Sequence, residues 1–380
     1  METKSLWGSL ENRYATERPR KLLTLDGGGI RGIITLGILE KIESELKRKL
    51  QKSDDFRLCD YFDYIAGTST GAIIAAGLSI GKSVKEMMDF YTDKGKDMFD
   101  KTFILKRWKS LYESGPLLEM LKETFKEDTD MVLGNDRFRC LLMVVTMNRT
   151  TDSPWPISNN PFAKYNELGR LDCNAKIRLY QLVRASTAAP VYFPPETIQW
   201  DPHNPEKTFV FVDGGVTPYN NPAFLLYRMA TYPAYNLNWK TGEDNMLIVS
   251  VGTGAAPSEG EYRNILDTAT GIPTNLMYAM QVDQDINCRT VGRCTYGEKI
   301  DREVGDMVPK LPLSTDTGKD FLYVRYNIAL TQENLNTLGL KNIDAKEVRK
   351  MDSVDNIKQL VKIGRVASAQ VSLEHFGSFV

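Results

Sequence analysis

Short apolar runs alternate with helical stripes along most of this chain. Runs typical of β-strands lie at residues 21–26, 61–66, 139–147, 207–212 and 246–254. After the first run, one face of a helix collects the apolar residues Ile34, Ile38, Leu39, Ile42 and Leu46. Strands that alternate with helices form mainly parallel sheets that are covered on both faces. The sequence therefore predicts an α/β fold with a mainly parallel central sheet.

A serine lies in a glycine-flanked turn between the second apolar run and the helix after it. Residues 67–71 read G-T-S-T-G, with Ser69 between Gly67 and Gly71. Between a strand and a helix, G-x-S-x-G forms a nucleophile elbow, because small flanking residues let the backbone bend sharply and expose the hydroxyl. The N–H groups at the start of the helix favour negative charge there. The pentapeptide alone fits equally well a glycine-rich loop that merely holds a serine.

A second glycine-rich turn follows the first predicted strand. Residues 26–32 read D-G-G-G-I-R-G, and Gly27, Gly29 and Gly32 satisfy the dinucleotide fingerprint G-x-G-x-x-G. That interpretation leaves the serine turn without a role. The alternative is an oxyanion hole, since consecutive glycines let backbone N–H groups converge on one point, each worth roughly 3–4 kcal/mol in acyl transfer. Arg31 adds a positive charge beside it, unless it is an ordinary surface arginine.

An aspartate ends the fourth apolar run. Asp213 follows residues 207–212 and is itself followed by Gly214 and Gly215. Active sites of open α/β sheets collect at the carboxyl ends of strands. Asp-Gly-Gly is also common turn chemistry. Beside two other glycine-flanked motifs at strand ends, Asp213 becomes a candidate general base.

The chain has only two histidines, which limits the choice of catalytic machinery. His203 lies in a turn-forming segment, D-P-H-N-P, and His375 lies close to the C-terminus. The order serine, acid, histidine occurs in α/β hydrolases, so a triad with His375 stays open. The favoured hypothesis is a Ser-Asp dyad, in which Asp213 accepts the proton of Ser69 directly.

These three motifs, in this order, resemble those of the patatin-like phospholipase family. The block at residues 182–195 (L-V-R-A-S-T-A-A-P-V-Y-F-P-P) supports the resemblance, which covers about residues 20–255. The resemblance implies a three-layer α/β/α fold and hydrolysis of lipid acyl esters through an acyl-enzyme, without cofactor or metal. It implies Ser69 as the nucleophile, Asp213 as the base, and the amides of Gly28 and Gly29 with Arg31 nearby as the oxyanion-stabilising element.

Composition indicates the class of protein and the compartment in which this chemistry takes place. Of 380 residues, 42% are hydrophobic and 26% are charged, and 48 basic against 49 acidic residues leave a net charge of −1. Such a chain is typical of soluble globular proteins and has no strong field to attract DNA or RNA. Five scattered cysteines fit reduced thiols, and we find no signal peptide or membrane-spanning run. We therefore expect a cytoplasmic protein that acts peripherally on membrane phospholipids.

The chain divides into three parts by pattern. Residues 1–19 are a polar lead-in, residues 20–255 a catalytic domain with a helical insertion at 82–138, and residues 256–380 an extension packed on the core. The insertion mixes apolar and basic residues. It is either a helical segment packed on the core or a mobile cap that meets a membrane surface.

The C-terminal extension suggests regulation. Its segments 283–297 and 301–307 look similar to those of bacterial patatin-like phospholipases that act as effectors of cyclic-oligonucleotide anti-phage signalling and degrade the cell's own inner membrane. In that interpretation a cyclic dinucleotide activates the enzyme, and Arg289, Arg293 and Tyr296 contact its phosphate or base. The alternative is that these three residues form ordinary ion pairs and packing contacts. Assembly into a homo-oligomer stays open.

Other functions remain as alternatives at this level. One is a Ser-Asp-His esterase of soluble or neutral lipid esters without nucleotide control. Two others are a nucleotide-binding oxidoreductase, which would bind a nicotinamide cofactor at the residue 27–32 turn, and a non-catalytic binding module, which would not need Ser69.

Overall fold

The central feature of the structure, a computed structural model, is one mixed sheet. The structure describes residues 6–99, 116–133, 136–190, 193–201, 203–255, 265–309 and 318–380. Within these ranges the strands are β1 Arg20–Leu25, β2 Tyr64–Thr68, β3 Leu141–Asn148, β4 Ser153–Ser158, β5 Glu196–Gln199, β6 Thr208–Asp213, β7 Met246–Val251, β8 Arg293–Tyr296 and β9 Leu322–Tyr326. They are hydrogen-bonded in the order β5-β6-β3-β2-β1-β7-β9-β8, and β4 also pairs with β3.

Helices of the described residues cover both faces of this sheet. They are α1 Glu11–Tyr14, α2 Gly32–Lys49, α3 Leu58–Tyr61, α4 Thr70–Ser79, α5 Val84–Phe99, α6 Pro116–Phe125, α7 Leu179–Ser186, α8 Ala223–Thr231, α9 Ile265–Val291, α10 Gln332–Thr337, α11 Ala345–Val348 and α12 Ile357–Ala367. On one face, α2 packs against α5 and α12, and α4 packs against β1, β2, β3 and α7. On the other, α8 packs against β1, β7 and α9. The predicted three-layer α/β/α fold is confirmed.

The predicted parallel centre is also confirmed. Strands β1, β2, β3, β7, β8 and β9 run parallel to one another. Every residue of β2, β7 and β9 is buried, as the apolar composition of strands covered on both faces requires. The apolar run at residues 61–66 is a strand only from Tyr64 onward. Tyr61 ends the short helix α3, which begins where the Asp60 carboxylate accepts the N–H of Arg57.

One strand departs from the parallel pattern in a way that shapes the site. Strand β3 pairs with β4 over Met143–Asn148, with β2 over Leu141–Val145 and with β6 over Thr146–Asn148. A strand has only two edges, so β4 occupies one of them, and β2 and β6 share the other end to end. Because β6 is antiparallel to β3, the carboxyl ends of β2 and β6 point at each other.

The lead-in, the insertion and the C-terminal extension all supply residues or elements that pack with the catalytic domain. In the lead-in, Trp7 and Tyr14 are buried, and Arg13 and Arg18 form ion pairs with the buried Asp63. The insertion contains α5 and α6, whereas residues 100–115 and 134–135 lie outside the described residues, so a lid stays a prediction. The extension supplies β8 and β9 to the sheet, and residues 256–264 and 310–317 lie outside the described residues. Among the described helices, none combines the length and apolarity that crossing a bilayer requires.

Candidate active site

Ser69 lies at the turn that joins β2 to α4. Its backbone has φ +55° and ψ −124°, a strained conformation for a side chain other than glycine and one that pushes the hydroxyl out of the turn. The turn packs tightly because Gly71 has no side chain: a Cβ there would lie 2.3 Å from the carbonyl oxygen of Leu25. The predicted strand–turn–helix context around Gly67–Gly71 is therefore present.

Asp213 meets Ser69 across the junction of β2 and β6. The Oγ of Ser69 donates a hydrogen bond of 2.6 Å to Oδ2 of Asp213, although 144 positions separate the two residues. The register explains this contact, since Thr68 lies opposite Val145 and Asp213 lies opposite Thr146, the next residue of β3. The structure thus brings the two predicted residues together.

The carboxylate of Asp213 is buried and held at both oxygens. Its Oδ1 accepts the N–H of Gly215 at 2.6 Å, and the residue is 5% exposed. Burial raises the pKa of Asp213 to about 6, although the bonds from Ser69 and Gly215 and the nearby positive charge of Arg184 act in the opposite direction. A carboxyl group with this pKa can exchange a proton near neutral pH.

The glycine turn after β1 presents two backbone donors beside Ser69. Within the described residues, the amides of Gly28 and Gly29 donate to no acceptor, and both residues line the same cavity as Ser69 and Asp213. Gly29 has φ +61°, a conformation that glycine adopts without strain. Gly27 is placed differently, because its N–H donates to the carbonyl of Asn220 at 3.1 Å.

Arg31 and Gly32 lie behind this turn rather than in the cavity lining. The Arg31 guanidinium is buried and donates to the carbonyl oxygens of Gly28 at 3.3 Å and Gly254 at 3.2 Å. Gly32 begins α2, where a Cβ would lie 2.6 Å from Oγ1 of Thr70. Arg31 therefore braces the turn through its carbonyl groups, and Gly32 lets α2 approach α4.

The cavity in front of Ser69 has an apolar lining. It encloses about 190 Å³ and includes Thr187, Gly215 and Asn220 besides the residues already described. Most of its wall comes from large apolar side chains: Phe99, Pro190, Phe193, Val216, Met277 and Met351. The arrangement suits a hydrocarbon chain whose reacting carbonyl reaches the serine.

Two supporting residues had no predicted role. The hydroxyl of Ser186 accepts the N–H of Ser69 at 2.9 Å and donates to the carbonyl of Val145 at 2.7 Å, which braces the strained elbow. Asn220 accepts the N–H of Gly27 and thereby ties the glycine turn to the segment after Asp213. Ser186 belongs to the block at residues 182–195, which could be recognised in the sequence, but nothing in that block predicts the hydrogen bond between Ser186 and Ser69. Residues 191–192 of the block lie outside the described residues.

Asp26, the first residue of the glycine motif, is fixed by a buried ion pair. The guanidinium of Arg325 on β9 donates to its two carboxylate oxygens at 2.9 and 2.6 Å, and Gln281 on α9 donates to Oδ2 at 3.2 Å. Burial alone would lower the pKa of Arg325, but the adjacent charge of Asp26 raises this pKa above its usual value. The glycine turn is thus anchored to two elements of the C-terminal extension.

Neither histidine approaches the cavity. His375 stacks on Tyr296 at 4.4 Å between ring centroids, and its Nδ1 lies 2.9 Å from the hydroxyl of Tyr326. These tyrosines end β8 and β9, which are four and three strands from β2 in the sheet, roughly 14–19 Å away. His203 lines a separate cavity beside Trp200.

The three candidate nucleotide contacts have partners within the chain. Arg289 pairs with Asp285 at 2.7 Å, and Arg293 pairs with Glu243. Tyr296 stacks on His375, as described above, and its hydroxyl donates to Gln370 at 3.2 Å. The structure does not bring these residues to the cavity of Ser69. Among the residues that the structure describes, no group of three or more His, Cys, Asp or Glu side chains is arranged to hold a metal ion.

Comparison with known proteins identifies related chains. A family model described as patatin-like phospholipase matches residues 23–227. Patatin-17 of Solanum cardiophyllum is 32% identical over 280 residues, which are 68% of this chain and 67% of that relative. A cGAMP-activated phospholipase of Escherichia coli (strain TW11681) is 31% identical over 248 residues, 63% of this chain and 64% of that protein. The matches therefore span about two thirds of each relative.

A solved structure is similar at lower identity. The human GIVD cytosolic phospholipase A2 aligns over 94% of this chain and 60% of its own length, with a TM-score of 0.43 and 11% identity.

Proposed function

The chain belongs to the patatin-like phospholipase family, a family of lipid acyl hydrolases, and on that premise we propose that it cleaves fatty acyl esters of membrane phospholipids with a Ser69–Asp213 dyad. The observation that carries this proposal is the 2.6 Å hydrogen bond from Ser69 to Asp213 in an apolar cavity. The amides of Gly28 and Gly29 face the same cavity, which supports an oxyanion role for the glycine turn over a dinucleotide role.

Acylation begins at the serine hydroxyl. Asp213 takes the proton of Ser69 as Oγ attacks the acyl carbonyl carbon, and the amides of Gly28 and Gly29 stabilise the oxyanion that forms. The bond from the carbonyl carbon to the glycerol oxygen then breaks, and that oxygen takes the proton from Asp213. The lysophospholipid leaves, and the fatty acyl group stays on Ser69 as an ester.

Deacylation repeats the same steps with water. Asp213 removes a proton from a water molecule, whose oxygen attacks the acyl carbonyl, and the second oxyanion occupies the same two amides. The bond to Oγ breaks, Ser69 regains a proton from Asp213, and the fatty acid is released. The chemistry requires one carboxylate that alternates between base and acid, for which a pKa of about 6 is suited.

Dependence on pH tests the role of Asp213. Because only the ionised carboxylate accepts the serine proton, we expect kcat/KM for a soluble ester to rise with pH through an apparent pKa of about 6. Arg184→Gln removes a cation that lowers the pKa of Asp213, so its profile should move to higher pH. A wild-type profile that stays flat down to about pH 4.5 would contradict this assignment, since Asp213 would then be largely protonated while the enzyme remained active.

A dyad is favoured over a triad because His375 is bound to tyrosines several strands away. His375→Ala should therefore keep most of the wild-type kcat on a soluble ester. A loss as large as that of Asp213→Asn would instead support the Ser-Asp-His alternative. Thermal unfolding of both variants separates a loss of catalysis from a loss of fold.

The ion pair between Asp26 and Arg325 should support both fold and catalysis. Arg325→Met leaves a buried carboxylate unpaired next to the glycine turn, so we expect a loss of about 3–5 kcal/mol in the free energy of unfolding, with a lower kcat. The double variant Asp26→Asn, Arg325→Met removes both charges and should recover much of that stability. Denaturant unfolding measures both. Equal stability of Arg325→Met and wild type would show that the pair does not anchor the turn.

Regulation by a cyclic dinucleotide is a further part of the proposal. It is supported by the 31% identical relative whose name is cGAMP-activated phospholipase. On this basis we infer a role in anti-phage defence, in which an activated enzyme acts from the cytoplasm on the membrane surface. Arg289, Arg293 and Tyr296 are bonded to other residues of the chain, so they must exchange these partners before they can contact a nucleotide. A change of oligomeric state could accompany this activation of the enzyme.

Vesicles made from bacterial lipids test substrate and regulation together. Product analysis by mass spectrometry, with wild type beside Ser69→Ala, should show lysophospholipid and fatty acid only with wild type. The same assay with and without added cyclic dinucleotides isolates activation, because equal rates would contradict regulation by the nucleotide while leaving the phospholipase proposal intact.

The oxidoreductase alternative has its own test. Calorimetric titration of the protein with a nicotinamide cofactor should show no binding.

A further inference from the structure

In the part of the chain that the structure describes, the ionisable side chains lining the cavity of Ser69 are of one sign. Among its described lining residues, the ionisable ones are Asp213 and Asp352, and none is lysine, arginine or histidine. Asp213 has a role in the proposed chemistry. Asp352 has none, although a carboxylate in a mostly apolar lining is costly to desolvate unless something compensates its charge.

Asp352 is held in a fixed place beside the glycine turn. The carbonyl of the preceding residue, Met351, accepts the N–H of Ile30 at 2.9 Å, and a Cβ on Gly29 would lie 2.3 Å from that same carbonyl oxygen. The carbonyl of Asp352 accepts the N–H of Val354 at 2.8 Å. The segment that carries Asp352 is therefore tied to the glycine turn by its backbone, and Asp352 lines the cavity beside that turn.

Within the described part of the chain, the Asp352 carboxylate has no ionic partner, and the adjacent basic residues bind elsewhere. Lys350 pairs with Glu347 at 2.6 Å, and Nε of Arg349 donates to the carbonyl of Leu330 at 2.6 Å. Asp352 is half-buried, so an ion that meets it is partly shielded from water. A cation supplied by the substrate would compensate this charge.

We propose that Asp352 selects phospholipids whose headgroup carries an ammonium group, such as ethanolamine or choline, over phospholipids whose headgroup alcohol is uncharged, such as glycerol. This inference rests on the proposed phospholipase function. The apolar wall formed by Phe193, Val216 and Met277 takes the acyl chain. The polar headgroup is then left to meet Asp352, which lines the same cavity, and there an ammonium is attracted and an uncompensated phosphate is repelled.

Soluble substrates isolate this effect from the binding of enzyme to a charged membrane. We would measure kcat/KM for dihexanoyl phosphatidylethanolamine, phosphatidylcholine and phosphatidylglycerol below their micelle concentrations. Wild type should favour the two ammonium headgroups about two- to fivefold, the range of a partly exposed ion pair. Asp352→Asn should abolish this preference, Asp352→Lys should reverse it, and added salt should weaken it in wild type.

Comparing ratios within each variant cancels a general loss of activity. Asp355→Asn is the matched control, because Asp355 is an exposed aspartate three positions away that does not line the cavity, and it should keep the wild-type ratio. An unchanged ratio in Asp352→Asn, or an equal change in Asp355→Asn, would overturn the assignment. Failure of the phospholipase proposal looks different: wild type would hydrolyse a p-nitrophenyl ester but none of the three phospholipids.

Discussion

Ser69→Ala should lower phospholipid hydrolysis by about ten-thousandfold or more, with little change in fold. The hydroxyl of Ser69 is the only nucleophile that the structure places beside both Asp213 and the glycine amides within the described cavity. Alanine keeps the backbone turn and its bond from the Ser69 N–H to Ser186, so the cavity stays formed. Release of fatty acid from vesicles measures the loss, and a fluorophosphonate probe should no longer label the protein.

Ser44→Ala provides the control for this experiment. Ser44 is exposed on α2, and its hydroxyl donates to the carbonyl of Lys41 in the same helix, so loss of this hydroxyl should leave hydrolysis and labelling unchanged. Hydrolysis by Ser69→Ala within tenfold of wild type would contradict covalent catalysis at this residue.

Asp213→Asn should lower kcat by about 10² to 10⁴-fold, the usual contribution of a general base. The asparagine amide donates to Oγ of Ser69 rather than accepting its proton, so the serine is no longer activated. The acceptor of the Gly215 N–H is retained, which preserves the local turn. Single-turnover release of alcohol from a p-nitrophenyl ester measures the acylation step alone.

The same variant should be more stable than wild type near neutral pH. Burial raises the pKa of Asp213 from 3.8 to about 6, so the folded protein holds this proton more tightly than the unfolded chain does. Wild-type stability therefore falls as pH rises through this window, and the penalty is fully present above it. Asparagine removes the penalty, up to about 3 kcal/mol. A variant that is inactive and less stable would indicate that the loss reflects a damaged fold.

The sequence predicted which residues form the site better than it predicted the directions of the strands that carry them. Ser69 and the glycine turn follow strands whose apolar pattern and flanking glycines are local signals, so their places at one sheet edge could be predicted. Asp213 also ends a strand, but its strand is antiparallel to β3, which no local pattern encodes. Asp213 reaches the same edge because β2 and β6 pair with successive parts of β3 and run toward each other, so that their carboxyl ends meet.

Supporting contacts depend on side chains that are distant in sequence. Ser186 braces Ser69, and Arg325 fixes Asp26 across 299 positions. Such pairs form only when the chain has folded, so the sequence around Ser186 or Arg325 does not predict which residue each of them contacts. The apolar and acidic lining from Met277, Met351 and Asp352 was equally hidden, because it comes from the extension that lies outside the three motifs.

The most direct measurement is rapid-quench peptide mass spectrometry of the enzyme during turnover of a phospholipid. We expect the mass of one fatty acyl group to appear on the peptide containing residues 67–71, at Ser69, and to disappear as the fatty acid is released. Steady release of fatty acid with the acyl mass on another residue, or on none under conditions that preserve esters, would contradict this expectation.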